Sequence, residues 1–123
     1  MSKRYETVFI LTPVLSEEQA KEAVKIYRDL LVEKGAVIKH EEDWGLRKLA
    51  YQIEKKSSGF YYLIEWEYDG QEQVVPLLEL TFKRDERVLR YLTVLLDKYA
   101  IEYNERKRKA KNEVVEEQNS LEN

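Results

Sequence analysis

Four basic residues cluster in the segment F-K-R-D-E-R-V-L-R-Y-L-T-V, which spans residues 82–94. Lys83 and Arg84 end a stretch whose apolar residues recur at helical spacing, and Arg87 and Arg90 open a stretch typical of a strand. Ammonium and guanidinium groups that are held close together bind phosphate through charge-assisted hydrogen bonds. The segment therefore predicts a phosphate-binding joint between a helix and a strand.

Further basic residues lie elsewhere in the chain. They form the pairs Arg47-Lys48 and Lys55-Lys56 and the run R-K-R-K-A-K at residues 106–111. We expect the turn after the second strand and the exit of the second helix to lie at opposite ends of their elements, so the groups need not form one patch. An ordinary solvated surface remains the alternative for each group.

The overall charge does not by itself point to nucleic acid. Lys and Arg total 21 against 24 Asp and Glu, and the isoelectric point is about 5.4, whereas domains that bind nucleic acid are more often basic. The charge is segregated, however. Residues 83–111 hold ten basic and five acidic side chains, and the last twelve residues hold four acids and no base. Because charges act over a Debye length of roughly 8–10 Å, the local excess matters more than the sum.

The residue types exclude several kinds of site. The chain has no cysteine, so disulfides and thiol chemistry are absent, and the single histidine, His40, cannot hold a metal alone. Glu41, Glu42 and Asp43 are adjacent, so on a strand they would point to alternate faces. No Gly-rich phosphate loop or nucleophile motif occurs. We predict a non-enzymatic protein without cofactor. Since there is neither a membrane-spanning run nor a signal peptide, we also expect it to be soluble and cytoplasmic.

Hydrophobic periodicity predicts the order strand, helix, strand, strand, helix, strand. Ser16 and Gln19 form a capping box that starts the first helix, Gly35 ends it, and Pro76 suits the first turn of the second helix. The predicted strands cover residues 5–12, 36–53 with a bend at Gly45, 60–68 and 87–96, and a turn covers residues 54–59. This order predicts an α+β, ferredoxin-like βαββαβ fold. Its four-stranded antiparallel sheet carries two helices on one face.

The chain is expected to divide at residue 99. Residues 1–99 form the ferredoxin-like domain, and residues 100–123 form a charged tail with few apolar residues. Such a segment cannot bury enough apolar surface to fold alone. We therefore expect the tail to be disordered, with a helix on a partner as the alternative.

The third predicted strand indicates which face of the sheet meets the helices. Because side chains alternate along a strand, one face carries Phe60, Tyr62, Ile64 and Trp66, and the other carries Glu65 and Glu67. A face with carboxylates in mid-strand is a poor surface for binding bases, so we expect the four apolar residues in the core. Stacking of RNA bases on these rings, as in an RNA-recognition motif, stays open as the alternative.

The opposite face of the sheet is expected to be covered by no helix. Glu65 and Glu67 would border an apolar patch on it, and an exposed patch of roughly several hundred Å² usually marks an interaction site. Scattered apolar exposure is the alternative. We predict that a partner protein docks on this face, at Val8, Ile10, Tyr61, Leu63 and Leu92.

Four segments, in order along the chain, resemble a known family. They are R-Y-E-T-V-F-I-L at residues 4–11, G-L-R-K-L-A-Y at 45–51, K-S-S-G-F-Y at 56–61 and F-K-R-D-E-R-V-L-R at 82–90. Over about residues 3–99 the chain resembles the family of protein six of the bacterial small ribosomal subunit. It departs from the family at Gln52, where a proline usually follows the tyrosine.

The resemblance implies a structural, ribosome-bound protein of the cytoplasm. It implies binding to small-subunit ribosomal RNA and a heterodimer with protein eighteen of the same subunit. It implies that the residues in the matching segments that can contact RNA or the partner are Arg4, Arg47, Lys48, Tyr51, Lys56, Arg84, Arg87 and Arg90. The alternative function is a ferredoxin-like domain that self-associates through its open sheet and binds a small ligand.

Overall fold

Four strands and three helices make up the fold, which a computed structural model describes for residues 2–122, with side chains described for residues 2–111. The sheet has the order β2-β3-β1-β4, and each neighbouring pair is antiparallel. The predicted ferredoxin-like fold is confirmed, and a third helix follows it. In chain order the elements are β1 (Lys3–Leu11), α1 (Glu17–Glu33), β2 (Val37–Ile53), β3 (Lys56–Tyr68), α2 (Val74–Arg84), β4 (Val88–Leu96) and α3 (Lys98–Glu122).

Helix α1 begins and ends at the residues that the sequence predicts. The Gln19 N–H donates to Ser16 Oγ at 3.1 Å, and the Ser16 N–H donates to Gln19 Oε1 at 2.9 Å, which completes the capping box. Glu17 and Glu18 lie in the first turn, where the helix dipole favours negative charge. Gly35 follows the helix with a φ of 92°, a conformation that glycine adopts without strain.

The turn between β2 and β3 is shorter than the sequence predicts. The predicted turn at residues 54–59 is wrong, because only Glu54 and Lys55 separate the strands, with φ angles of 49° and 66°. Two-residue hairpin turns with positive φ usually contain Asn-Gly or Asp-Gly, so Glu-Lys carries no such signal. Gly59 lies inside β3, where an added Cβ would clash with Ile10 and lie 2.9 Å from the Leu11 carbonyl oxygen.

The core lies between the sheet and helices α1 and α2. Of the four β3 residues predicted for the core, Ile64 and Trp66 are buried, and Phe60 and Tyr62 are partly buried against it. Phe82 packs against Phe9 and Tyr27 with ring centroids 5.0 and 4.3 Å apart. Trp66 Nε1–H donates to Thr7 Oγ1 at 2.9 Å, and the Thr7 hydroxyl also bonds to that of Thr93 at 2.9 Å, so the buried polar groups of Trp66 and Thr7 have partners. The apolar face of β3 therefore belongs to the core, which is the reading preferred over base stacking.

Helix α3 covers part of the opposite sheet face, where the sequence predicted no helix and a disordered segment from residue 100. Its Arg108 donates from both Nη atoms to the Glu65 carboxylate at 3.3 Å, and Asn104 Nδ2 reaches Glu6 at 3.5 Å. Glu65, expected at a polar border, is only 1% exposed. Composition could not reveal this helix. Its described side-chain hydrogen bonds are to strand residues about 40 or more positions away in the sequence, and composition carries no information about such partners. No helix in the described part of the chain is long and apolar enough to span a membrane.

Replacing Leu31 by alanine should lower the free energy of unfolding by about 2–5 kcal/mol, because truncation of a fully buried leucine leaves a cavity. Urea denaturation measures the loss. The control is Val32→Ala, since Val32 on the same helix is 54% exposed, and we expect it to stay within about 0.5 kcal/mol of wild type. Equal losses for the two variants would mean that the helix faces the sheet in a different phase.

Candidate nucleic-acid interface

Strand register brings the basic groups to one edge of the sheet. Leu11 pairs with Phe60 on one side and with Val88 on the other, so the end of β1 meets the beginnings of both β3 and β4. The β2–β3 hairpin projects from this edge, and α2 ends beside it. The Thr12 N–H donates to the Arg87 carbonyl at 2.8 Å and fixes that joint. The expectation that these groups lie at opposite ends was wrong. Because β3 and β4 both run antiparallel to β1, both begin beside the C-terminal end of β1.

We call this region the basic edge. It holds eight basic residues against three acidic ones, in a chain whose net charge is −3. Strands β3 and β4 are separated by β1 alone, which corresponds to roughly 10 Å, or about one Debye length. The basic residues therefore lie along one end of the sheet, with those of β2 and the hairpin farther from β4 than this distance. The residues of the basic edge are Arg47, Lys48, Lys55, Lys56, Lys83, Arg84, Arg87 and Arg90.

The hairpin part of the basic edge is a two-stranded ribbon that extends past the end of β1. Arg47 and Lys48 are exposed on β2, and Arg47 Nε–H donates to the Trp44 carbonyl at 2.8 Å. Tyr51 is 80% exposed near the tip. A ribbon with exposed cations and a tyrosine can follow a nucleic-acid backbone and place a ring beside it.

On the β4 side, Arg87 is held in place by Asp85. Arg87 donates from Nε and Nη2 to the two Asp85 oxygens at 2.9 and 2.8 Å, and the Tyr27 hydroxyl donates to Asp85 Oδ2 at 2.5 Å. Burial by itself raises the pKa of Asp85, but the hydrogen bonds from Arg87 and Tyr27 outweigh it and lower the pKa to about 2. Burial, together with the Asp85 carboxylate, raises the pKa of Tyr27. Arg87 is thus oriented and partly neutralised, whereas Arg84 and Arg90 are exposed.

Of the eight residues predicted to contact RNA, the structure brings seven together and leaves one apart. Arg4 lies at the other end of β1, where it donates to Glu65 at 2.8 Å and to Glu67 at 3.0 Å. Its side chain is only 12% exposed. The remaining seven are on the basic edge or, for Tyr51, at the hairpin tip.

The residues predicted to bind a partner share one face of the sheet, which we call the α3 face. Register pairs Val8 with Leu63 and Leu92, and Ile10 with Tyr61, so the predicted strand phase is correct. Their exposure differs, however. Leu92 is 63% exposed, whereas Leu63 and Ile10 are 5% and 8% exposed. The expected accessibility of Ile10 and Leu63 was wrong, because both side chains are buried.

Carboxylates dominate the α3 face where the helix contacts it. Glu6 and Glu65 are direct cross-strand neighbours. Burial raises the pKa of Glu6, and the charge of Glu65 adds to that rise. Burial also acts to raise the pKa of Glu65, but hydrogen bonds from Arg108 and Arg4 lower it overall. Sequence reasoning missed Arg108 and Asn104 as the groups that meet these carboxylates, since nothing local marks a charged helix residue for a distant strand.

A cleft of about 780 Å³ lies between α1 and the β2–β3 side of the sheet. Apolar side chains such as Val24, Leu46 and Phe60 line it together with Lys25 and Asp43. Its lining includes carboxylates and lysines but no serine, cysteine or histidine. Within the described residues there is also no cluster of three metal-ligating side chains. The basic edge is therefore the best candidate for a functional surface.

Comparison with known proteins gives one consistent result. The family model described as "Ribosomal protein S6" matches residues 4–95. The small ribosomal subunit protein bS6 of Christiangramia forsetii is 59% identical over 109 residues, which cover 89% of this chain and 96% of that protein. The protein of the same name from Parabacteroides distasonis is 56% identical over 117 residues, covering 94% and 98%. The crystal structure of 30S ribosomal protein S6 from Thermotoga maritima superposes with a TM-score of 0.75 at 29% identity, covering 89% of this chain and 99% of that one.

The Asp85 carboxylate should contribute to stability only while it is ionised. Its pKa is lowered from 3.8 to about 2 in the folded state, so its contribution is present above about pH 4 and is lost as the pH falls towards 2. Near pH 6 we expect Asp85→Asn to be less stable than wild type by about 1–2 kcal/mol, after allowance for solvent screening. Urea denaturation across this pH range measures the gap. A gap that persists unchanged at pH 2 would contradict the assignment, and Asp69→Asn in an exposed turn is the control.

Proposed function

Because this chain belongs to the ribosomal protein S6 family, we propose that it binds small-subunit ribosomal RNA through the basic edge and does so beside a second ribosomal protein. Its role is that of a structural protein of the small ribosomal subunit, in the cytoplasm, without catalysis. Membership in this family removes the support for the alternative, a self-associating domain that binds a small ligand. What remains to be proposed is which surfaces contact RNA and partner.

The charge excess of the basic edge is the observation that carries the RNA proposal. Eight cations against three acids stand out in a chain with net charge −3. Lys and Arg that neutralise phosphates release counterions, and this supplies most of the affinity without reading sequence. An acidic protein can therefore bind RNA at one edge while the rest of its surface repels it. This local polarity also favours a single orientation on the RNA.

The parts of the basic edge should differ in their contributions. Arg90, Arg84 and Lys48 are exposed, so they can move to meet phosphates. Arg87 already donates to Asp85, so its positive charge is partly offset and its share should be smaller. Tyr51, exposed at the hairpin tip, can contact a sugar or a base edge. Arg4, which neutralises Glu65 and Glu67, stays a prediction from the family resemblance.

The partner proposal concerns the accessible part of the α3 face, next to β4. Leu92 is 63% exposed, Val94 is 40% exposed and Val8 is half-buried between them and β3. These side chains form an apolar surface that α3 leaves uncovered, and such surfaces are typical of protein interfaces. We propose that protein eighteen of the small subunit docks here. Ile10 and Leu63 then support the surface from within, and Tyr61 lies at its border.

Replacing Arg90 or Lys56 by alanine should weaken binding to a small-subunit RNA fragment and reduce the slope of log affinity against log salt by about one unit or less, because one phosphate contact is lost. Titration at several salt concentrations, with the partner protein present, measures both quantities. Lys98→Ala removes the same charge at the other end of β4, and it should change neither the affinity nor the salt slope. If all three variants lose affinity equally, the effect comes from net charge and not from the basic edge.

Replacing Leu92 by glutamate should weaken heterodimer formation by at least about tenfold, because a charge would have to be desolvated at the interface. The thermal midpoint should stay close to that of wild type, since Leu92 is exposed. Leu95→Glu is the matched control, because Leu95 is 61% exposed on the same strand but on the opposite face. If Leu92→Glu forms the heterodimer normally, the partner must bind another surface, such as the outer strand β2.

A further inference from the structure

Trp44 is exposed in a way that the core does not explain. The chain has two tryptophans. Trp66 is fully buried with its ring N–H bonded, whereas Trp44 is 39% exposed. Tryptophan is usually one of the most buried side chains, and it costs free energy to leave its large ring in water. Trp44 also stacks on Tyr61, with ring centroids 6.0 Å apart and ring planes at 16°.

A bulge in β2 creates this arrangement. Asp43 pairs with Tyr62 and Gly45 pairs with Tyr61, so Trp44 is the extra residue between them. Bulges of this kind redirect one side chain relative to the sheet. Gly45 has a φ of 68°, and its N–H donates to Asp43 Oδ1 at 2.9 Å. Nothing outside its chain neighbours lies within 4 Å of the position where a Cβ of Gly45 would be. The ring pair is thus held by the backbone and is still reachable.

Positive charge lies on both sides of the ring pair. Arg47 donates to the Trp44 carbonyl at 2.8 Å, which holds its guanidinium group against the backbone of the same bulge. Arg90 occupies the same cross-strand row as Tyr61, because both pair with Ile10 on opposite sides of β1. The nearby Asp43 carboxylate is engaged with the bulge backbone. A flat aromatic surface between two guanidinium groups suits a nucleotide, whose base needs a ring and whose phosphates need cations.

We propose that Trp44, stacked on Tyr61, is a platform for one unpaired RNA base whose neighbouring phosphates lie on the basic edge. The inference rests on the proposed function, since it requires that this chain binds RNA. Unpaired bases in loops and bulges are commonly recognised by stacking on aromatic side chains, and this tolerates any base because every base has a π face. It assigns Tyr61 to RNA, although the sequence predicted it as a partner contact.

The test compares two RNA probes that differ only in their bases. One is a single-stranded oligouridylate, and the other is an abasic strand of the same length and charge. Wild type should bind the oligouridylate more tightly, and Trp44→Leu should weaken that binding by about 5- to 100-fold while leaving the abasic strand unchanged. Trp44→Phe keeps a ring and should retain most of the preference. Tyr103→Leu, which removes a 60% exposed ring from α3, should bind both strands as wild type does.

Tryptophan fluorescence gives a second readout in the same samples. Because Trp66 is buried, quenching by the oligouridylate, but not by the abasic strand, should come from Trp44. Equal binding of both strands by wild type, or an unchanged preference in Trp44→Leu, would overturn the platform. Loss of partner binding in Trp44→Leu with RNA binding intact would make the ring a protein contact instead. If wild type binds neither probe nor a ribosomal RNA fragment, the proposed function fails as well.

Discussion

Antiparallel pairing of β1 with β3 on one side and with β4 on the other is the constraint on which the rest of the structure depends. It sets which residues of three strands share a face, because a slip of one residue would move every side chain to the opposite side of the sheet. Trp66, Thr7 and Thr93 fix that register from within, since their hydrogen bonds link β3, β1 and β4 in the core. The same register aligns the hairpin with the exit of α2.

Local sequence patterns were enough to predict most of the fold. Alternation along β3 placed Ile64 and Trp66 in the core, and the capping box at Ser16 located α1, because both signals depend on residues close together in the chain. The turn at Glu54 and Lys55 could not be predicted in the same way. Positive φ at these residues is imposed by the pairing of the flanking strands and not by their own preference.

The site was harder to predict than the fold, for a physical reason. The sequence shows which residues are basic, but their convergence depends on long-range register, which no short segment encodes. The interactions of α3 are similar. Glu65 looked like an ordinary surface residue of a strand, yet it is buried because Arg4 and Arg108 compensate its charge. The bend expected at Gly45 is a bulge, and its geometry shows that the ring of Trp44 is presented to solvent.

The order of the strands has a consequence for how the protein is made. β1 is the first strand to leave the ribosome, yet it is an inner strand of the finished sheet. Its β4 side keeps unpaired backbone groups until the residues of β4 have been synthesised, so the growing domain carries an open strand edge while β2, β3 and α2 are added. Closing that edge requires pairing of β1 with β4, the two strands farthest apart in the sequence. Contacts of such long sequence separation form slowly in folding. The domain can therefore complete its sheet only near the end of its own synthesis.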